Sequence, residues 1–513
     1  MRKKLLTFFV ATSLFCSTLL TGCEMPSLQS AGTTEAEYVE IEQNPVSVHD
    51  PSIIKADGSY YIFGSHRAWA KSDDLISWET ISLNINTEYP NMFSDLWENY
   101  CKTDSNTDMS GNMWAPDIIY NETMKKYCMY MSVNGSEYNS AIVLLTADQV
   151  TGPYTYVGPV VFSGFNTSTH PASYTDVYQV LGKDADLSRY QSTDDTKLNA
   201  IDPCVTYDKE GNLWISFGSW FGGIYMLKLD PKTGLRDYST TYETKENVSD
   251  AYYGYKIAGG HEVSGEASYI LPINDYYYLF MSYGGLTADG GYQMRVFRSE
   301  TITGPYVDQN GSPAIYTEKM NNLLLNIGTR LMSSYSWSGS SEIRVAQGHN
   351  SALVDDDGRI FLIYHSRFAD RGEEHEIRTQ QLFVTEDGWL VSAPYEYARE
   401  SLSMEGYQKE EVIGDYEFLI HKPTSYYQGG GDSDSGINQA TLITLKKNGT
   451  ITSKDDSISG TWTLSEGSPA MTLTIDDVTY EGYFLKIPNE SEHKVEMTFT
   501  AIGNNVCIWG SQQ

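Results

Sequence analysis

A hairpin pattern that comes back five times constrains this chain more than any other feature. His49-Asp50-Pro51-Ser52-Ile53-Ile54-Lys55 is followed by the turn Asp57-Gly58 and by Tyr60-Tyr61-Ile62-Phe63. The pattern returns as Ala115-Pro116-Asp117-Ile118-Ile119 before Tyr127-Cys128-Met129-Tyr130-Met131, and as Asp202-Pro203-Cys204-Val205-Thr206 before Leu213-Trp214-Ile215-Ser216-Phe217. It returns again as Glu266-Ala267-Ser268-Tyr269-Ile270 before Tyr276-Tyr277-Tyr278-Leu279-Phe280, and as His349-Asn350-Ser351-Ala352-Leu353 before Ile360-Phe361-Leu362-Ile363-Tyr364. A sheet unit that cannot bury both faces alone must stack on copies of itself, and such copies predict a five-bladed β-propeller. The first strand of each blade then lines the axis. Asp50, Ala115, Asp202, Glu266 and His349 are therefore expected in one ring, with three carboxylates and a histidine at one end of a central channel.

The rest of the chain sorts around that repeat. Residues 43–402 carry it, and the fold class is all-β throughout, since long amphipathic helical patterns are missing. Matching outer-strand pairs end in the same turn, Thr151-Gly152-Pro153-Tyr154 and Thr303-Gly304-Pro305-Tyr306. Four polar intervals, 85–110, 163–198, 238–262 and 308–346, each precede an axis-lining strand and are expected to gather at the channel mouth. Residues 405–513 alternate cleanly and predict a small antiparallel β-barrel or sandwich, with 428–436 as a loop. No carboxylate pair stands out there, so this part reads as a structural or glycan-binding appendage.

At the amino end, basic Met1-Arg2-Lys3-Lys4 precedes an apolar run that ends in Leu20-Thr21-Gly22-Cys23. Residues 1–22 read as a secretory signal peptide of the bacterial lipoprotein kind, with Cys23 as the lipidation site, and 23–42 as a flexible tether. The expected address is extracellular, with membrane attachment only through the lipid. A net charge of −32 argues against nucleic acid and against adhesion to anionic lipid. The remaining cysteines, Cys101, Cys128, Cys204 and Cys507, have no Cys-x-x-Cys spacing, so neither a zinc cluster nor a disulfide is assigned. A monomer is expected.

Carboxylates around a channel mouth can form a structural or metal-binding girdle, or they can perform acid–base chemistry. Glycoside hydrolysis needs a protonated carboxyl against the leaving oxygen and an ionised one to activate water or attack carbon. A third negative group raises the pKa of the acid, because ionising beside an existing charge costs Coulomb energy. Asp50, Asp202 and Glu266 meet that requirement, with Glu266 as the longer-reaching acid.

Six motifs in order carry a resemblance. Val48 to Ile54, Trp114-Ala115-Pro116-Asp117, Asn199 to Pro203, Gly218 to Gly223, Gly265-Glu266-Ala267 and Gly348-His349-Asn350 resemble glycoside hydrolase family 43, within it the endo-1,5-α-L-arabinanases. The resemblance implies a five-bladed propeller and inverting hydrolysis of arabinan. It implies Asp50 as general base, Glu266 as general acid, and Asp202 as the residue that tunes and orients the acid. It implies that His349, with waters, holds a calcium-type cation in the channel. Sugar contacts are expected from Asn199, Ile201, Ser219, Trp220 and Phe221, with Gly135 as a further contact. Trp114 either stacks on sugar or packs its blade, and Asp117 either bonds a sugar hydroxyl or caps a turn. The carboxy-terminal barrel resembles the β domain appended to some extracellular arabinanases.

Two features leave the specificity open. The order Trp220-Phe221 is the reverse of the family's usual Phe-Trp, and the long intervals 85–110 and 163–198 could narrow an open cleft to a pocket. An exo-acting α-L-arabinofuranosidase or β-xylosidase would share the same carboxylates. A non-catalytic glycan-binding propeller would need only stacking and hydroxyl contacts.

Overall fold

The computed structural model describes residues 37–39, 41, 43–136, 138–165, 170–191, 196–262, 265–319, 325–422 and 436–513. The signal segment, Cys23 and most of the loop 428–436 lie outside them. Among the described residues no helix is long and apolar enough to cross a membrane.

Alternation of β-branched and aromatic residues with short turns builds five sheets in chain order, antiparallel except where Tyr335–Ser336 pairs parallel with Asn438–Gln439 at the edge of the fifth. Blade one comprises Ser52–Ala56, Ser59–Gly64, Ala68–Ser72 and Trp78–Ile81, and blade two Met113–Asn121, Lys126–Val133, Ala141–Ala147 and Thr155–Phe162. Blade three begins with Cys204–Tyr207 and blade four with Glu266–Ile273, while blade five begins with Arg344–Val354. Each first strand touches the first strand of the next blade, and the fifth returns to touch the first, so the ring is closed. Between them the blades bury Ile62, Phe63, Leu144, Phe217, Phe280 and Phe361 completely. The first hairpin turns at Asp57 and Gly58, both at positive φ, the conformation that a two-residue turn between twisted strands requires. The repeated Thr-Gly-Pro-Tyr turn is also structurally repeated. Tyr154 Oη donates to Val150 O at 2.7 Å, and Tyr306 Oη donates to Ile302 O at 2.8 Å.

The carboxy-terminal strands, from Gly414–Ile420 to Val506–Gln512, form a closed eight-stranded antiparallel barrel. Its interior is filled by Phe418, Trp462, Phe484 and Phe499. The barrel also shares a core with the propeller, in which Leu485, Ile487 and Trp509 pack with Leu331, Trp337 and Leu390. Near the end of the segment read as a tether, Tyr38 pairs with Lys494, and Val39 N donates to His493 O at 2.9 Å. The four remaining cysteines are all buried free thiols.

Candidate active site

The five blades meet the axis with a common backbone device. Asp50, Ala115, Asp202, Ala267 and His349 all take positive φ, between 33° and 58°. Conformations that ordinary side chains avoid persist only where the surroundings hold them. Here the holding groups come from the preceding blade. Ala115 N donates to Ser65 Oγ at 2.8 Å, Asp202 N to Ser132 Oγ at 3.1 Å, and His349 N to Ser282 Oγ at 2.8 Å. Asp50 N points to His365 Nδ1 at 3.5 Å, which closes the ring between blades five and one. At the remaining junction the donor finds a catalytic-type group instead: Ala267 N donates to Asp202 Oδ2 at 3.1 Å.

This device corrects the alignment of the repeat. The residue equivalent to Asp50 and Asp202 in blade four is Ala267, so Glu266 stands one position earlier, in register with Trp114 and Gly348. The pairing irregularities after Trp114, Glu266 and Gly348 show the same register. Successive residues of a strand point to opposite sides. Glu266 therefore reaches the pit from a different backbone position than the two aspartates. Of the five expected strand heads, four stand in the ring and Glu266 is offset from it by one residue, its place taken by Ala267.

All three carboxylates border a single solvent-open cavity of about 540 Å³, together with His49, Ser65, Trp114, Ile201, His349, Arg367 and His375. Their surroundings differ. Asp50 is 8% exposed, and its Oδ1 lies 2.6 Å from His49 Nδ1 and 2.9 Å from His349 Nδ1, while its Oδ2 accepts from Ser65 Oγ. Burial pushes its pKa up, but the two imidazoles outweigh burial and hold it well below the usual carboxylate range. Asp202 is buried beside Glu266 and Asp50. Burial, with the neighbouring negative charges and against the pull of His349, raises it to about 7. Burial pulls His349 down, yet Asp50 and Asp202 overcome it and raise the imidazole to about 9. Glu266 is held by three side chains: Tyr292 Oη donates to Oε1 at 2.7 Å, and Trp220 Nε1 and Ser219 Oγ donate to Oε2 at 2.8 and 3.2 Å.

The sugar-contact expectations divide. Ile201 and Trp114 line the cavity, with Trp114 Nε1 tied to Gly111 O at 2.7 Å. Ser219 and Trp220 lie against Glu266 itself. Phe221 sits edge-on to Tyr138, ring centroids 4.9 Å apart. Asp117 is not at the surface of the pit. It is 3% exposed and ties three blades, accepting from Ser52 Oγ and from Val205 N, each at 2.6 Å. Burial raises it to about 6. Asn199 is likewise turned inward, donating to Asn134 Oδ1 at 2.8 Å and accepting from Ser140 Oγ at 2.5 Å. A side chain on Gly135 would meet Asn139, so the glycine there serves close packing.

Two groups were missed from the sequence. Tyr292 precedes a strand as one tyrosine among thirty-nine, and nothing local marks it. Ser65, Ser132 and Ser282 recur at the ends of second strands, a periodic signal that the first-strand register concealed. Among the described residues none of the four long intervals lines this cavity, whose outer wall comes from Leu286, Arg367, Glu373 and His375, but 163–198 and 238–262 reach the turn beside it: Gly222 N donates to Lys197 O at 2.6 Å and Glu262 N to Phe221 O at 2.9 Å. Arg367 Nε donates to Leu286 O at 2.8 Å, which joins the loops of blades four and five.

Two arrangements bear on metal binding. His49, Asp50 and His365 bring ligand atoms within 4.8 Å of one another. The two rings stack face to face with centroids 3.9 Å apart, and their Nδ1 atoms lie 2.6 and 3.9 Å from Asp50 Oδ1. At His349 the donor set is different. Near it in sequence, Gln347, Asn350 and Ser351 are buried and have side-chain atoms with no hydrogen-bond partner in the described structure. An imidazole in its neutral form, completed by water, fits a hydrated hard cation in kind.

Comparison with known proteins follows the geometry. Residues 42–176 and 165–390 match glycosyl hydrolases family 43, and 394–510 match the C-terminal lipocalin-like domain of that family. The chain belongs to glycoside hydrolase family 43. It is 37% identical over 489 residues to an extracellular endo-α-(1→5)-L-arabinanase of Thermotoga petrophila, covering 92% of this chain and 96% of the relative. It is 35% identical over 483 residues to extracellular endo-α-(1→5)-L-arabinanase 2 of Bacillus subtilis, covering 91% and 93%. The crystal structure of endo-1,5-α-L-arabinanase from T. petrophila superposes with a TM-score of 0.76 at 36% identity, covering 92% of this chain and all of that one. The family 43 propeller thus acts here as a glycoside hydrolase scaffold.

Proposed function

We propose that the protein hydrolyses α-1,5-linked L-arabinan outside the cell by single displacement. The observation that carries this reading is the convergence of Asp50, Asp202 and Glu266 on one cavity in three distinct electrostatic settings. The arabinanase names of relatives similar over almost the whole chain supply the substrate class.

The roles follow from the settings. Asp50, ionised beside two imidazoles, takes a proton from a water poised over the anomeric carbon. That water forms the new bond as the glycosidic C–O bond breaks, and Glu266 delivers a proton to the departing oxygen. Asp202 accepts the Ala267 amide next to Glu266 and so fixes the acid's backbone. Inversion requires room for water, about 6.5–9.5 Å between the base and acid carboxyls. A calcium-type cation would be held by waters and by His349 in its neutral form, taking the place of the imidazole's proton, and would supply fixed positive charge in the channel. Trp114 and Ile201 offer apolar faces to the sugar ring. The lipobox at Cys23 supports a lipid-anchored extracellular address.

The test is turnover of linear arabinan by Glu266→Gln and Asp50→Asn variants. Loss of turnover with retained oligosaccharide binding supports the assignment, and normal turnover of either variant removes it. Solution viscosity that falls well before reducing ends accumulate marks endo action, and a late fall marks an exo enzyme.

A further inference from the structure

Resting on the hydrolase reading, we infer that Trp220 decides which oxygen of Glu266 carries the proton, confining it to Oε1, and so acts as a positioning residue for the acid. The two oxygens have unlike partners. Oε2 receives Trp220 Nε1 at 2.8 Å and Ser219 Oγ at 3.2 Å, whereas Oε1 faces Tyr292 Oη at 2.7 Å. An indole N–H can only donate, whereas a phenol can donate or accept. A proton on Oε2 would set O–H against the indole N–H and strand a polar hydrogen in a half-buried site, at the cost of an unmade hydrogen bond. A proton on Oε1 leaves every partner satisfied, because Tyr292 can turn its hydroxyl to suit.

The indole is itself held in place. Trp220 and Phe221 take positive φ of 51° and 48°, and Trp220 N donates to Gly265 O at 2.8 Å, beside Glu266 in the chain. Backbone strain is thus maintained at a residue whose side chain touches the acid. Tyr292 is 1% exposed, and its ring stacks on His365 with centroids 5.8 Å apart, which fixes the position of its oxygen. In the hydrolytic step the Oε1–H bond breaks as the proton passes to the departing glycosidic oxygen. The electrons of that bond stay on the carboxylate, and water replaces the sugar oxygen at carbon. Oε2 keeps its donors through the step, so the carboxylate that forms needs no rearrangement.

Neutron diffraction from deuterated crystals of the full chain, at a pD where Glu266 is protonated, tests this directly. Deuterium on the oxygen that faces Tyr292 is expected, and deuterium on the oxygen that faces Trp220 overturns the inference. A kinetic arm accompanies it. Trp220→Phe keeps an aromatic face but drops the donor, and it should slow arabino-oligosaccharide hydrolysis about tenfold or more in kcat. With aryl arabinofuranosides the loss should shrink as the leaving group becomes more acidic and needs the proton less. An equal loss for every leaving group overturns the inference, because it marks a merely structural role. If Trp220→Phe fails to fold, the neutron result decides alone. Normal turnover by Glu266→Gln would instead overturn the hydrolase assignment beneath it.

Discussion

At the scale of single residues, three like groups are made unlike by their neighbours. Glu266→Gln should cut kcat on linear arabinan by about 10²- to 10⁴-fold, the range that general acid catalysis supplies, with KM little changed. Steady-state kinetics on the purified protein checks this. Asp202 gives a stability signature. Its pKa rises from the ordinary carboxylate value of 3.8 to about 7 on folding, so the folded state binds a proton that the unfolded state has lost. Its contribution is present at pH below the unfolded value and is lost as pH rises to about 7. Asp202→Asn should therefore gain in Tm over the wild type as pH rises from about 4 to about 7 and hold that gain above it. Thermal melts across that range would show it, and a constant difference would contradict the assigned shift. The same scale shows what reading the chain could deliver. Asp50, Asp202 and Glu266 are visible because each opens a repeated motif. The offset of Glu266 is not, because the alternation of a strand is the same for either register until the bulge is seen. The role of Asp117 stayed open for a related reason: a carboxylate in the middle of a strand can face water or a neighbouring blade, and only the packing decides.

At the scale of elements, the blades are joined by polar ties through their axis ends. Asp117 of blade two binds Ser52 of blade one and Val205 of blade three. Asp117→Ala strands both donors, at about 1–3 kcal/mol for each group left unpaired, and denaturant unfolding should show a loss of that order. The serine ring is a subtler tie. Ser65 accepts from Ala115 N and also donates to Asp50, so Ser65→Ala should weaken both the junction and the base. The hairpins, their turns and the Thr-Gly-Pro-Tyr repeat were legible because local propensity and tertiary structure agree there. The four long intervals were not. Their composition marks them as irregular, but which loop walls a cavity depends on how far each blade turns, and that is set by packing between sheets.

At the scale of the whole molecule, the barrel completes the propeller and cannot be treated as a loose appendage. Trp509, Leu485 and Ile487 share a core with blades four and five, and the barrel turn at Asn505 is wholly buried, donating to Asp308 Oδ2 and Asn326 O at 2.8 Å each. Ending the chain at residue 402 uncovers that apolar surface. The shortened protein should aggregate on expression or melt well below the full chain, as light scattering and calorimetry would show. The alternating strands made the barrel legible from sequence. Its docking was not, since an apolar residue that faces outward on a barrel reads like any inward one until its partner is known.

The claim on which these scales meet is that one linkage lies between a water-activating Asp50 and a proton-donating Glu266. Proton NMR of the first product released from an α-linked arabino-oligosaccharide tests it most directly. The account predicts that the new reducing end appears first as the β-anomer and then mutarotates; first appearance of the α-anomer would contradict it.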